Sequence, residues 1–278
     1  MLSQALVQDM FKGQQRNRMR ILLTSASGVF ISLSPLAGSV LQQLFGWTGS
    51  FALFIGLTVI VVLLSRSLLQ EAPIPQRPYN IFHSYRLLLG DRCFLGYSTL
   101  AALAFTCHFA FIVVSPLLFM DRLGLSDYTF SLVFIGYGAA YVTGGLIASR
   151  VNGKLSAHAQ IALGLALIGG AGMLLVIWLA LAGLSVASIL LPMVICTAGT
   201  TLTRPAATTC ALERHPERAG AAAALSNTLL FATGGVASAL VAVAEATLPM
   251  SLAAGFIGMS LCGGLLLIGL SRSQPLIA

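Results

Sequence analysis

Eight long apolar runs take up most of this 278-residue chain and leave it few folds to choose from. They cover residues 21–44, 51–69, 93–119, 128–149, 159–182, 186–210, 219–243 and 248–270. A helix of about 20 such residues crosses the hydrocarbon layer of a bilayer. Within lipid every backbone N–H and C=O must be bonded inside the protein, which leaves helices or a closed barrel. A barrel would show alternating segments of about ten residues, whereas these runs are continuous and longer. Charged residues make up 8% of the chain, against about 25% in soluble domains. The expected fold is an all-α polytopic membrane protein with about eight transmembrane helices in a lipid bilayer.

Charge placement gives an orientation. A net charge of +7 could suggest a nucleic-acid partner, but the basic residues form no soluble face and none is expected. Cytoplasmic connections carry the excess of Lys and Arg in membrane proteins. With both termini cytoplasmic, the inside segments hold thirteen of the fifteen basic residues: Lys12, Arg16, Arg18, Arg20, Arg66, Arg77, Arg86, Arg92, Arg150, Lys154, Arg214, Arg218 and Arg272. Arg122 lies outside and Arg204 within a span. Residues 1–20 read as polar and basic, without an apolar stretch of signal-peptide type. The longest connection, residues 70–92, carries Pro73, Pro75 and Pro78 and then the amphipathic stretch NIFHSYRLLL. It divides the chain into residues 1–69, with two spans, and residues 93–278, with six. Cys93, Cys107, Cys196, Cys210 and Cys262 show no paired spacing, so free thiols are expected, with no metal and no cofactor.

The first span carries an unusual stripe. Ser25, Gly28, Ser32, Pro35, Ser39, Gln42 and Gly46 recur at three- and four-residue steps and so share one helix face. Small residues let a second helix approach closely, and Pro35 removes a backbone bond, which kinks a helix. Periodicity alone reads as a tight seam between two helices.

Gly28-x5-Ser34-Pro35-x-x-Gly38, followed by Gly46-Trp47 and Phe51, resembles the antiporter signature on the fifth helix of major facilitator drug exporters. The wider pattern is similar to the bicyclomycin-resistance (Bcr/CflA) type of drug:proton antiporter. ALVQDMF (5–11) resembles the end of helix four, SPLLF (115–119) the end of helix seven, and HPERAGAAAALSNTL (215–229) the connection into helix eleven. The resemblance implies helices five to twelve of the major facilitator fold, with 1–69 ending the first six-helix bundle, 70–92 the central cytoplasmic loop and 93–278 the second bundle. It implies a chain truncated or given the wrong start, with about four spans and a buried acid encoded upstream. It also implies a multidrug or small-molecule exporter of the inner (plasma) membrane, using proton antiport and alternating access. In the family the signature stripe packs on the opposite half, so Gly28, Ser32, Ser34, Pro35, Gly38 and Ser39 become a candidate moving seam. GLIASRVNGK (145–154) is a degenerate echo of the family's charged loop, with Ser149 where the stronger version has Asp.

Polar groups within spans complete the candidates, since an ionisable group at membrane depth is a functional hypothesis by default. Arg204 shares a face with Thr197, Thr200, Thr201 and Thr208. It reads either as a cavity cation meeting substrate or as a side chain snorkelling to headgroups. His108 is the one evident proton-relay candidate, or else a neutral, hydrogen-bonded core histidine. Phe130, Phe134, Tyr137 and Tyr141 form an aromatic stripe that suits hydrophobic or cationic substrates or simply packs. Asn227 shares a polar-to-small face with Phe231, Gly234 and Ser238 and suits seam packing or the cavity. The eight acids all fall at helix ends or in connections. Metal-protease and nucleophile-elbow motifs are absent, which disfavours an enzyme. The alternative to a transporter is a non-transporting membrane remnant or interaction protein.

Overall fold

The computed structural model describes residues 2–68, 80–244 and 247–273. Among these are ten α-helices and no β-strand. They are α1 (Leu2–Met10), α2 (Gln14–Phe45), α3 (Thr48–Leu68), α4 (Ile81–Gly90), α5 (Arg92–Pro116), α6 (Asp127–Val151), α7 (Ala157–Ala182), α8 (Val186–Glu213), α9 (Ala219–Val243) and α10 (Leu248–Ser273). A π-helical segment, Leu117–Arg122, prolongs α5. Eight helices are long and apolar enough to cross a membrane: α2, α3 and α5 to α10, the last of the described chain. This is a multi-pass, all-α membrane protein.

Local chemistry sets the helix boundaries. Asn80 caps α4 by accepting from the His83 N–H, and the Asp91 carboxylate caps α5 through the N–H groups of Cys93 and Phe94. Ser126 and Ser156 cap α6 and α7, and Ser185 with Ser188 forms a capping box on α8. α2 and α7 stop at Gly46 and Gly183, where φ is 65° and 72° and only glycine sits without strain.

Two prolines inside helices share one remedy. A proline lacks the N–H that would reach the carbonyl four residues back. For Pro35 that carbonyl is Ile31, and the preceding Ser34 hydroxyl donates to it at 2.7 Å. For Pro116 it is Ile112, and Ser115 donates to it at 2.8 Å. A neighbouring hydroxyl thus supplies the bond that lipid could not.

α5, α6, α7, α8 and α10 enclose a common core, and α9 packs chiefly on α5. Phe111, Phe119, Phe130, Phe134, Tyr137 and Tyr141 are all buried in that core. The predicted aromatic stripe of α6 is therefore packing, with Phe134 stacked on Phe111 at 6.1 Å. α2 lies along α6 and also touches α8. α3 packs chiefly on α2, and its residues 51–64 are all exposed.

The structure differs from the sequence expectation at two places. Residues 1–20 are not simply polar and basic: α1 forms there, and α2 starts at Gln14, well before residue 21. Arg20, counted as a connection charge, is fully buried. Within 70–92, Ile81–Gly90 is a helix, while Pro73, Pro75, Pro78 and Arg77 lie outside the described residues.

Candidate functional site

The stripe on α2 meets α6 in antiparallel register. Ser25 lies on Gly145, Gly28 on Tyr141, and Ser32 on Gly138. A Cβ on Gly28 would overlap Cβ and Cγ of Tyr141, and one on Gly138 would overlap the Ser32 side chain. Each small residue thus accommodates a larger one opposite, the close approach such seams depend on. The packing stops partway: Ser32 is buried, Ser34 is exposed, Pro35 and Ser39 are partly covered, and Gly38 faces open space. Of the six predicted seam residues, Gly28 and Ser32 make the contact, while Ser34 mends the helix at Pro35.

Directly behind the seam lies His108. Tyr141, which covers Gly28, packs edge-on to the His108 ring at 4.8 Å. His108 Nδ1 is hydrogen-bonded to the Tyr137 hydroxyl, which also accepts from Thr197 Oγ1 at 3.1 Å. His108 is 1% exposed and its Nε2 has no partner among the described residues. One ring nitrogen is therefore anchored, and the other is left without a hydrogen-bond partner among the described residues.

The remaining candidates separate into two groups. Thr200 and Thr201 are buried, with hydroxyls bonded to backbone carbonyls: Thr200 to Ala104 at 3.1 Å and Thr201 to Ala198 at 2.9 Å. Tyr137 and Tyr141 are equally enclosed. These four line no open cavity among the described residues; α5 and α6 cover that stretch of α8. Arg204 and Asn227 lie together on a cleft with Ala101, Thr208, Ser226 and Leu230. The Arg204 guanidinium carbon sits 5.0 Å above the Phe105 ring.

A second cluster escaped the sequence reading. At the α8 end that carries Glu213, polar side chains tie α1 and α2 to the helices after residue 80. The buried Arg20 guanidinium donates to Gln4 at 3.1 Å, Gln8 at 2.8 Å and Thr209 at 2.7 Å. Asn17 donates to Asn152 at 2.8 Å and Gln160 at 3.2 Å. Arg16 pairs with Glu213 at 3.2 Å. A cavity of about 400 Å³ opens beside them, lined in part by Gln14, Lys154 and Gln160. The loop echo at 145–154 therefore bridges through Asn152 rather than through a charge. The legible signal was the Gln4 and Gln8 pair, one turn apart on a helix too short to span.

Nearby, Asp91 gathers Arg214 Nε at 2.7 Å and His215 Nε2 at 2.9 Å. Burial alone would raise its carboxyl. The Arg214 bond, the Phe94 N–H and His215 together outweigh that and hold it below the ordinary carboxylate value. The same bond raises Arg214.

Helix number, inward small-residue packing and the seam between separate helix groups suit a transporter fold, and comparison with known proteins decides the family. The sequence profile of the Major Facilitator Superfamily matches residues 1–239. The chain belongs to the Major Facilitator Superfamily. It is 31% identical over 285 residues to the uncharacterized MFS-type transporter YdgK of Bacillus subtilis, covering 98% of this chain and 69% of that protein. It is 26% identical over 250 residues to the bicyclomycin resistance protein homolog of Haemophilus influenzae, covering 87% and 62%. Multidrug resistance protein D of Escherichia coli is 26% identical over 247 residues, covering 88% and 62%. The chain thus spans well short of the full length of these major facilitator relatives. The family is one of transporters, not of enzymes.

Proposed function

We propose that the protein works as a secondary transporter that exports small molecules across the inner (plasma) membrane by alternating access and proton antiport. Its helices would correspond to helices five to twelve of the major facilitator fold, with both termini cytoplasmic. The observation that carries this reading is the contact series Gly28–Tyr141–His108: one tyrosine touches both the α2 seam and a buried imidazole with a free nitrogen. A proton gained by the His108 ring would place charge directly behind the residue on which α2 rests, which links protonation to the seam. Arg204 and Asn227 line the substrate cleft in this reading.

The test uses proteoliposomes with an imposed pH gradient and two antibiotic probes, bicyclomycin, taken from the name of a relative, and chloramphenicol. Uncoupler-sensitive accumulation of a probe is expected. His108→Gln should retain exchange of probe for probe while losing gradient-driven accumulation. Full accumulation by His108→Gln would remove the imidazole from the coupling. Neither accumulation nor exchange of either probe would favour a non-transporting membrane protein.

A further inference from the structure

Among the described residues, Arg204 is a cation within a span whose surroundings do little to balance it. Nine residues separate it from Glu213 at the end of α8, about 14 Å along the helix. A cation at such depth is costly unless something compensates it. Its guanidinium carries five N–H donors, yet among the described residues none meets an acceptor. The contact it does make is with the face of Phe105.

The described carboxylates are engaged or distant. Asp91 holds Arg214 and His215, Glu213 holds Arg16, and Glu217 holds Arg218. Asp121 and Asp127 flank the turn between α5 and α6, at the opposite end of the bundle. The other groups around Arg204 are polar but neutral. Asn227 donates to the Ala223 carbonyl, leaving its side-chain oxygen free, and Ser226 is bonded to Ser98. His108, one turn from Phe105 on α5, adds a second buried nitrogen without a partner. Among the described side chains the cleft therefore offers positive charge and no negative counterpart.

Beside the cation stands an aromatic wall. Phe105 stacks on Phe109 at 5.4 Å, and Phe231 meets both edge-on at 5.5 and 6.3 Å. Phe231 is 52% exposed, so the wall has an open face. Phe105 belongs to both features: the guanidinium lies over its ring, and Phe109 and Phe231 pack against the same ring.

We propose that Arg204 and the Phe105–Phe109–Phe231 cluster form a subsite for an aromatic monoanion. The carboxylate takes the fork of guanidinium donors, and the ring lies on the aromatic wall. This deepens the transporter reading, on which it rests, by giving the substrate an acidic group. It also replaces the expectation of a cationic substrate, because a cation here would face Arg204 with nothing to offset the repulsion.

The test is equilibrium binding of tritiated 2-naphthoate to the purified protein in nanodiscs, read by scintillation proximity. Unlabelled 2-naphthoate, 2-naphthylmethanol and 2-naphthylmethylamine serve as competitors with one ring system and three charges. Naphthoate should compete at least about tenfold better than the alcohol, and the amine worse than either. Arg204→Gln should abolish that preference, Arg204→Lys should keep part of it, and Phe231→Ala should weaken the naphthoate and the alcohol alike. Equal or better competition by the amine overturns the proposal, as does a preference that survives in Arg204→Gln. No saturable naphthoate binding also overturns it, and is the outcome expected if a carboxylate of the protein itself neutralises Arg204. Binding is read without turnover, so charge-selective binding without transport overturns only the transport reading. Transport without charge preference overturns only the subsite.

Discussion

Gly28→Ala isolates the seam from every other property of α2. A Cβ at this position would coincide with Cβ and Cγ of Tyr141, the root of that side chain rather than its mobile tip. Tyr141 cannot swing aside, because it is buried against His108 and Tyr137 at 4.8 and 5.9 Å. Relief must come from separating α2 from α6. Overpacking of this kind costs about 1–3 kcal/mol. Replacing glycine by alanine inside a helix also contributes about 1 kcal/mol in the stabilising direction, which would obscure a single measurement. Gly38→Ala on the same helix provides the correction, since a Cβ there meets nothing within 4 Å. The propensity gain cancels between the two variants, so their difference should be the overpacking cost of about 1–3 kcal/mol. Thermal unfolding of both proteins in the same detergent measures it. Gly28→Ala should melt several degrees below Gly38→Ala. Equal melting temperatures, or a lower one for Gly38→Ala, would refute the seam geometry.

Arg20→Met removes the donors that hold Gln4, Gln8 and Thr209; a loss of roughly 2–3 kcal/mol is expected, visible as a lower melting temperature, and an unchanged one would mean that α1 does not depend on this arginine. Asp91 has a depressed folded-state value, so its contribution is present above the ordinary carboxylate value and is lost as pH falls through the folded one. Melting temperature followed downward from pH 7 should therefore fall less steeply in Asp91→Asn than in the parent, and parallel acid limbs would count against the ion pair. For topology, single cysteines at Arg122 and Lys154 in a cysteine-free background should label from outside and inside respectively in intact cells; the reverse pattern would invert the orientation.

The spans were legible because lipid imposes one local rule, about 20 apolar residues with all backbone bonds internal. α9 occupies the residues 219–243 read from sequence. What periodicity could not supply was which face meets which. The α2 stripe was visible, but its partners Gly138, Tyr141 and Gly145 were not, because pairing across more than a hundred residues leaves no local signature. The aromatic stripe of α6 has the helical period, and its side chains are buried in the core, the packing alternative of the two readings. Thr200 and Thr201 share a face with Arg204, yet bonds to backbone carbonyls absorb their hydroxyls, and packing by α5 and α6 closes over them. Arg20 reads from sequence as a connection charge because its hydrogen-bond partners are uncharged amides and a hydroxyl, drawn from α1 and from Thr209.

The most direct test of the moving seam is the pair of distances at its two ends. Spin labels at Arg18 and Lys154 bracket the end closed by Asn17 and Asn152, and labels at Gln43 and Tyr128 bracket the end beyond Gly38, where the stripe is unpacked. Double electron–electron resonance in nanodiscs, at pH 8 and pH 5 and with bicyclomycin, reads both. Alternating access predicts reciprocal change: as the Arg18–Lys154 distance lengthens, the Gln43–Tyr128 distance shortens. Two distances that stay fixed under every condition, or that move together, would contradict it and leave α2 and α6 as a static pair.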